Sequence, residues 1–143
     1  MRIAKYIKAG LFAGALTLAA GAASADFVVV VSAKSPMSSL TSEQVGEIFL
    51  GKVSNFPAGG ATTPVDQIEG APVRDDFYNK VTGKSAAQMK AYWSKIIFTG
   101  KGQPPKEVPD SVAVKKIVAD SPSAIGYIDK SALDGSVKAV FPR

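Results

Sequence analysis

The amino-acid sequence predicts an α/β protein in which a small mixed sheet is flanked by helices. Three observations lead to this fold class. Apolar β-branched runs alternate with amphipathic helical segments, the helical segments open on capping signals, and glycines or prolines separate successive elements. Strands that alternate with helices in this way pack as layers around one core.

The first 25 residues are typical of a secretory signal peptide that is cleaved before Asp26. Residues 2–8 carry three basic side chains, residues 9–18 are mainly apolar, and the small residues at 22–25 form a cleavage pattern. The apolar run is shorter than the roughly 20 residues that a membrane-spanning helix needs. Because no cysteine is present to carry a lipid, we expect a soluble periplasmic protein that is not a lipoprotein.

Composition limits what the protein can do. Cleavage would leave 118 of the 143 residues, with 14 basic and 12 acidic side chains, and this length suits a single domain. The basic residues form no stripe interleaved with aromatics, so nucleic-acid binding is not predicted. Histidine and cysteine are both absent, which removes the commonest general base, thiol chemistry and the usual metal ligands.

We therefore expect no cofactor, no metal ion and no enzymatic activity. Asp75 and Asp76 are adjacent, and on a helix they would point about 100° apart, which prevents them from forming a facing acid/base pair. No serine or lysine has a spacing that indicates an activated nucleophile.

The first strand is predicted at Phe27–Val31, a continuous apolar run typical of a strand buried on both faces. A helix is predicted to follow, with Thr41 as its N-cap, Gln44 completing a capping box and Gly51 ending it. One face of this helix carries its buried side chains, namely Val45, Ile48 and Phe49.

The middle of the chain is predicted to contain a strand at about Thr62–Asp66 and two helices. Proline suits a first helical position, so the second helix should run from Pro72 to a stop at Gly83. Ser85 begins a second capping box and opens the third helix. The predicted inner face of that helix carries Met89, Tyr92, Trp93, Ile96 and Ile97.

Residues 99–109 contain two glycines and three prolines, so they are predicted to form a long loop. Asp110 or Ser111 should cap a fourth helix. The chain is predicted to close with two short strands at Ile125–Ile128 and Val137–Phe141.

Four segments stand out by their sequences and their order. They are FVVVVS with a following Ser-Pro at 27–36, LTSEQVGEIFLGKVSNF at 40–56, EGAPVRDDF at 69–77 and AIGYI at 124–128. Together they resemble the periplasmic phosphate-binding proteins of ABC transporters, the PstS-like family. The second segment is the most specific, and the resemblance spans nearly all of the chain after residue 25.

The resemblance implies a fold, a ligand and partners. That family has a two-lobed type II periplasmic-binding-protein fold, and the matched segments come from one lobe, so 26–143 is expected to form one such domain. The implied function is non-covalent binding of phosphate or a related small oxyanion. A lone lobe needs a second surface to enclose a ligand, which a homodimer, an ABC transporter permease or another envelope protein could supply. The alternative is an interaction or adaptor module that kept the fold but lost the phosphate site.

The resemblance also points to a turn that would hold the anion. In the larger relatives an arginine at a strand end and a Ser-Gly-Thr turn at a helix start hold phosphate, because helix N-termini favour anions. Here Gln67 stands at the arginine, and Ala71–Val73 replace the Ser-Gly-Thr residues. Gln67, Gly70 and Arg74 are therefore ligand-binding candidates by position. The alternative for Arg74 is a salt bridge to Glu69, Asp75 or Asp76.

Two further places could bind a small oxyanion. Hydroxyl groups are clustered after the first strand, and the candidates there are Ser35, Ser38, Ser39 and Thr41. The alternative is that Thr41 only caps its helix and the serines lie in a solvated loop. The second place is Thr99–Gly102, a glycine-rich turn with a hydroxyl and an ammonium group, although its spacing is not that of a Walker phosphate loop.

Overall fold

The computed structural model describes residues 26–142, and the predicted signal peptide lies outside them. Five strands and four helices alternate along the chain, and a short 3₁₀ turn, Lys130–Ala132, follows the fourth strand. The elements are β1 (Phe27–Ser32), α1 (Ser42–Phe49), β2 (Thr63–Gln67), α2 (Pro72–Thr82), α3 (Ala86–Thr99), β3 (Lys106–Val108), α4 (Ser111–Asp120), β4 (Ala124–Asp129) and β5 (Val137–Phe141).

The strands form one mixed sheet in the order β3-β2-β4-β1-β5. β2 runs parallel to both β3 and β4, whereas β1 runs antiparallel to β4 and β5. The predicted fold class, a small mixed sheet flanked by helices, is confirmed.

Both faces of the sheet are covered by helices. Val29 and Val31 point into a core shared with α1, α2 and α3, while Val28 and Val30 point into a second core shared with α4. This alternation follows from the two-residue period of a strand. All six residues of β1 are buried, which confirms the prediction from its continuous apolar run.

Local capping signals fix where the helices begin. Thr41 caps α1 and Ser85 caps α3, each within a complete capping box, and the Asp110 side chain caps α4. α2 differs, because Ala71 stands at its N-cap position, no side chain caps it and Pro72 is its first residue. Gly83 ends α2 with a φ of 73°, a left-handed conformation that glycine adopts without strain.

Two predictions about α3 and the segment that follows it are wrong. The predicted loop at 99–109 contains β3, a three-residue edge strand that pairs with β2 alone and is too short to show a strand pattern. Ile97 was expected on the inner face of α3 but is 55% exposed, because that helix buries only a narrow stripe, Met89 and Trp93.

No helix within residues 26–142 is long and apolar enough to cross a membrane.

Candidate functional site

Strand direction determines which loops can meet. Because β2, β3 and β4 are mutually parallel, their last residues, Gln67, Val108 and Asp129, lie at one edge of the sheet, here called the carboxyl edge. β1 is antiparallel to β4, so it begins at the carboxyl edge, where Phe27 pairs with Asp129. The loop that follows β1 consequently leaves from the other edge.

The hydroxyl loop and the Gln67–Arg74 turn lie beside different strands. The backbone oxygen of Ser35 accepts a hydrogen bond from Lys138 Nζ at 2.6 Å, and the Leu40 N–H donates to the Val140 oxygen at 2.9 Å. The loop therefore lies alongside β5, from Lys138 to Val140. In the sheet, β1 and β4 lie between β5 and β2. The strands β5 and β2 are therefore about 14 Å apart, at roughly 4.8 Å per strand spacing.

The hydroxyls of this loop make local hydrogen bonds. Thr41 Oγ1 accepts from the Gln44 N–H at 3.1 Å, as an N-cap does. Ser35 is buried, and its Oγ accepts from the Met37 N–H at 3.1 Å. Ser38 is exposed and Ser39 is half-buried. Capping and turn formation thus account for Thr41 and Ser35, and ligand binding by this loop stays a prediction.

The Thr99–Gly102 turn is the end of α3. Thr99 Oγ1 donates to the Ile96 oxygen at 3.1 Å, and Gly100 is the C-cap residue with a φ of 70°. Lys101 is exposed beside it. The turn's glycine and hydroxyl therefore terminate a helix.

Gln67, which was expected from the resemblance to take the place of a ligand-binding arginine, points into the protein. It is 2% exposed, and its Nε2 donates to Ser111 Oγ at 3.2 Å and to the Tyr127 backbone oxygen at 3.0 Å. These hydrogen bonds join β2 to α4 and β4. The side chain is consequently occupied by internal partners.

The turn after β2 leads to an uncapped helix start. The Ala71 N–H donates to the Ile68 oxygen at 3.1 Å, and Gly70 adopts a φ of 96° within this turn, a conformation that only glycine adopts readily. α2 then begins at the carboxyl edge without a side-chain cap. Its N-terminus offers partial positive charge there.

Arg74 lies in the first turn of α2 and is held by three groups. Its Nη1 donates to the Gln67 backbone oxygen at 2.8 Å and forms an ion pair with Glu107 Oε2 at 3.3 Å. The guanidinium also lies 5.5 Å from the centre of the Tyr78 ring. A salt bridge was the predicted alternative for Arg74, but its partner is Glu107 on β3, and not one of the predicted residues Glu69, Asp75 and Asp76.

A buried carboxylate lies beneath Arg74. Asp66 is 2% exposed, and its Oδ2 accepts from the Tyr78 hydroxyl at 2.6 Å. Its Oδ1 accepts from the Tyr127 hydroxyl and, at 2.8 Å, from the Gln67 N–H. Burial raises the pKa of Asp66 above its ordinary value, although the hydrogen bonds from Tyr127 and Tyr78 and the charge of Arg74 act in the opposite direction.

The pKa values of Tyr78 and Tyr127 are shifted by burial and by the neighbouring Asp66. Burial, and next the negative charge of Asp66, raise the pKa of Tyr127 and that of Tyr78 well above the ordinary range. Both hydroxyls therefore remain protonated and act as donors to Asp66. Tyr127 also stacks on Phe77, with ring centres 4.0 Å apart, which fixes its orientation.

Ser111 connects two of the parallel-strand ends, those of β2 and β4, to α4. Its Oγ accepts from Gln67 Nε2 and, at 2.9 Å, from the Asp129 N–H, and it donates to Asp129 Oδ2 at 3.3 Å. A depression of about 370 Å³ lies beside it at the carboxyl edge, lined by Asp26, Asp129, Lys130 and Ser131. None of the predicted site residues lines this depression.

Sequence reasoning missed most of this cluster. Glu107 lies in the segment 99–109 that was predicted to be a loop, and Asp66 was predicted only as the last residue of a strand. Tyr78 and Tyr127 carry no local signal, because the contact between them depends on packing α2 against β4. The one available signal was the polar pair Asp66-Gln67. It lies at the end of β2, where the last three residues of the strand are buried.

Taken together, this arrangement is one lobe of a type II periplasmic-binding-protein fold, with a basic side chain and an uncapped helix start at the carboxyl edge of its sheet. Known structures agree with this class. A protein from Clostridium perfringens, solved with bound phosphate and assigned to the phosphate ABC transporter substrate-binding proteins, superposes with a TM-score of 0.64 at 26% identity, over 80% of this chain and 43% of that one.

Two further solved structures show the same fold. An ABC-type phosphate transport receptor from Vibrio cholerae matches with a TM-score of 0.63 at 21% identity, over 80% of this chain and 44% of that one. PstS from Borrelia burgdorferi matches with a TM-score of 0.57 at 14% identity, over 82% of this chain and 49% of its own. No protein-family profile matches the chain.

The resemblance to PstS-like proteins is thus confirmed in the fold. The chain spans less than half the length of these solved proteins, which agrees with a match to a single lobe.

Proposed function

We propose that this chain is a periplasmic substrate-binding protein of the phosphate-transport type, which binds phosphate or a related small oxyanion at the carboxyl edge. The fold shared with phosphate-transport proteins supports the class. The observation that carries the site is the position of Arg74, a buried cation in the first turn of an uncapped helix at this edge. The helix dipole and the guanidinium both favour an anion there.

Glu107 acts as an internal competitor for this anion. Its carboxylate holds Arg74 at 3.3 Å, but its side chain is 45% exposed, so it can turn into solvent when an anion takes its place. Asp66 lacks this freedom, since both of its oxygens accept hydrogen bonds in the core. The expected affinity is therefore lower than that of a site whose arginine has no carboxylate partner.

A second protein surface completes the site. One lobe leaves the carboxyl edge open, and the second surface comes from another copy of this chain, an ABC transporter permease or another envelope protein. The resemblance to one lobe of longer binding proteins supports this part of the proposal.

Titration calorimetry of the protein from Asp26 onward with inorganic phosphate tests ligand binding. Binding heat that Arg74→Gln abolishes and that the control Lys116→Gln, at an exposed lysine of α4, retains would support the proposal. The absence of both heat and a thermal shift at millimolar phosphate would contradict it.

A second candidate is an interaction or adaptor module that kept the fold and lost the ligand. The observation that favours it is the neutralisation of Arg74 by Glu107, together with the absence of hydroxyl side chains at Ala71–Val73. Affinity capture from an envelope extract separates the two functions. A partner that is retained equally by wild type and Arg74→Gln, with no response to phosphate, favours the adaptor.

A further inference from the structure

The distribution of charge along the chain is uneven around α3. Residues 77–106 contain six lysines and no acidic residue, and the lysines are Lys80, Lys84, Lys90, Lys95, Lys101 and Lys106. Within residues 26–142, none of these six forms an ion pair. The end of α2, the whole of α3 and the turn after it therefore form a positively charged region.

The face of α3 that points away from the core is not an ordinary solvated face. At about 100° per residue, Phe98 lies about 180° from the buried Met89. The other residues of this outer face are small and uncharged, namely Ala87, Ala91 and Ser94. Lys90 and Lys95 lie within about 80° of Phe98 on its two sides.

Two large apolar side chains protrude from the end of this helix. Phe98 is 91% exposed and Ile97 is 55% exposed. Single exposed apolar residues are common on protein surfaces, but a protruding phenylalanine between lysines, in a segment without acids, is a specific combination.

From this combination we propose that the outer face of α3 binds an anionic lipid surface. Phe98 and Ile97 enter the boundary between headgroups and acyl chains, and the surrounding lysines contact the anionic headgroups. The contact that we propose is peripheral. Arg74 is held by Gln67, Glu107 and Tyr78, none of which belongs to this surface, so the inference does not depend on the proposed ligand.

The shape of the surface favours lipid over an acidic protein. A protein partner would need a preformed pocket for Phe98, whereas the lipid interface accepts a protruding aromatic ring without one. Lysine side chains can also extend their charged ends toward headgroups while their stems lie along apolar surface. Each lysine near an anionic membrane contributes about fivefold to the binding constant.

Vesicle co-sedimentation tests the inference with protein that begins at Asp26, so that the apolar leader cannot contribute. We expect binding to vesicles of equal parts phosphatidylglycerol and phosphatidylcholine, no binding to phosphatidylcholine alone, and release in 1 M salt, where the screening length is about 3 Å. Phe98→Ser should weaken binding about tenfold, while Val112→Ser, which alters a 67% exposed residue of α4, should leave it unchanged.

The charge contribution has its own matched pair. Lys90→Gln with Lys95→Gln should weaken binding about 25-fold, and Lys34→Gln with Lys116→Gln, two exposed lysines elsewhere, should weaken it far less. All four positions are exposed, so the variants should fold normally, which circular dichroism checks. Failure to bind anionic vesicles, equal effects of the two lysine pairs, or Phe98-dependent self-association without lipid binding would each overturn the inference.

Discussion

Glu107 on β3 lies 3.3 Å from Arg74 on α2, measured from Oε2 to Nη1. This ion pair joins two elements at the carboxyl edge, and it places a carboxylate at the position that we propose for an anionic ligand. If a ligand can displace Glu107 from this contact, Arg74 is a binding residue. If it cannot, Arg74 only stabilises the fold.

Glu107→Gln should raise the affinity for phosphate about fivefold, because it removes the competing charge while keeping a side chain of the same size. Titration calorimetry of both proteins measures the change. Glu69→Gln removes an exposed carboxylate from the same turn without touching Arg74 and is the matched control. An unchanged affinity in Glu107→Gln would show that Arg74 is not a ligand group.

Asp66 should make stability fall as pH rises. Burial raises its pKa in the folded protein above the ordinary value of about 3.8, so the folded state binds a proton more tightly than the unfolded state. Its favourable contribution is complete below about pH 3.8 and is lost as pH rises through the raised pKa.

Urea unfolding of wild type and Asp66→Asn over a pH series checks this sign. As pH rises from about 3.8 through the raised pKa of Asp66, the free energy of unfolding of Asp66→Asn should increase relative to that of wild type. The exposed Asp75→Asn is the control, and its stability curve should run parallel to that of wild type. If the stability curves of Asp66→Asn and wild type ran parallel over the pH series, the raised pKa of Asp66 would be contradicted.

Thr41→Ala should cost about 1 kcal/mol of stability and leave phosphate binding unchanged. The side chain accepts from the Gln44 N–H as an N-cap, and loss of such a cap has this magnitude. The exposed Ser38→Ala should change stability by less than about 0.5 kcal/mol. Loss of phosphate binding in Thr41→Ala would instead support the hydroxyl loop as a site.

Gly126→Ala should destabilise the protein by about 1–3 kcal/mol, because an added Cβ would lie 2.4 Å from Val114 Cγ1 on α4. Val114→Ala removes that methyl group, so the double variant should be more stable than the sum of the two single changes predicts. Urea unfolding of the three variants measures this coupling. Strict additivity would show that α4 does not press on β4 at this point.

Local signals predicted the fold well, whereas the site depended on contacts between distant segments. The capping boxes at Thr41 and Ser85 lie within four residues, so the sequence contains all of their determinants. Arg74 finds its partner 33 residues away on β3, a strand without a sequence pattern of its own. The hydroxyl loop could not be placed relative to Gln67 without knowing that β1 and β4 separate β5 from β2.

Calorimetric titration of the protein from Asp26 onward with inorganic phosphate, alongside Arg74→Gln, is the most direct test of the proposed function. We expect saturable binding heat in the wild type that is lost in Arg74→Gln and strengthened in Glu107→Gln. No heat and no thermal shift at millimolar phosphate in any of the three proteins would contradict it.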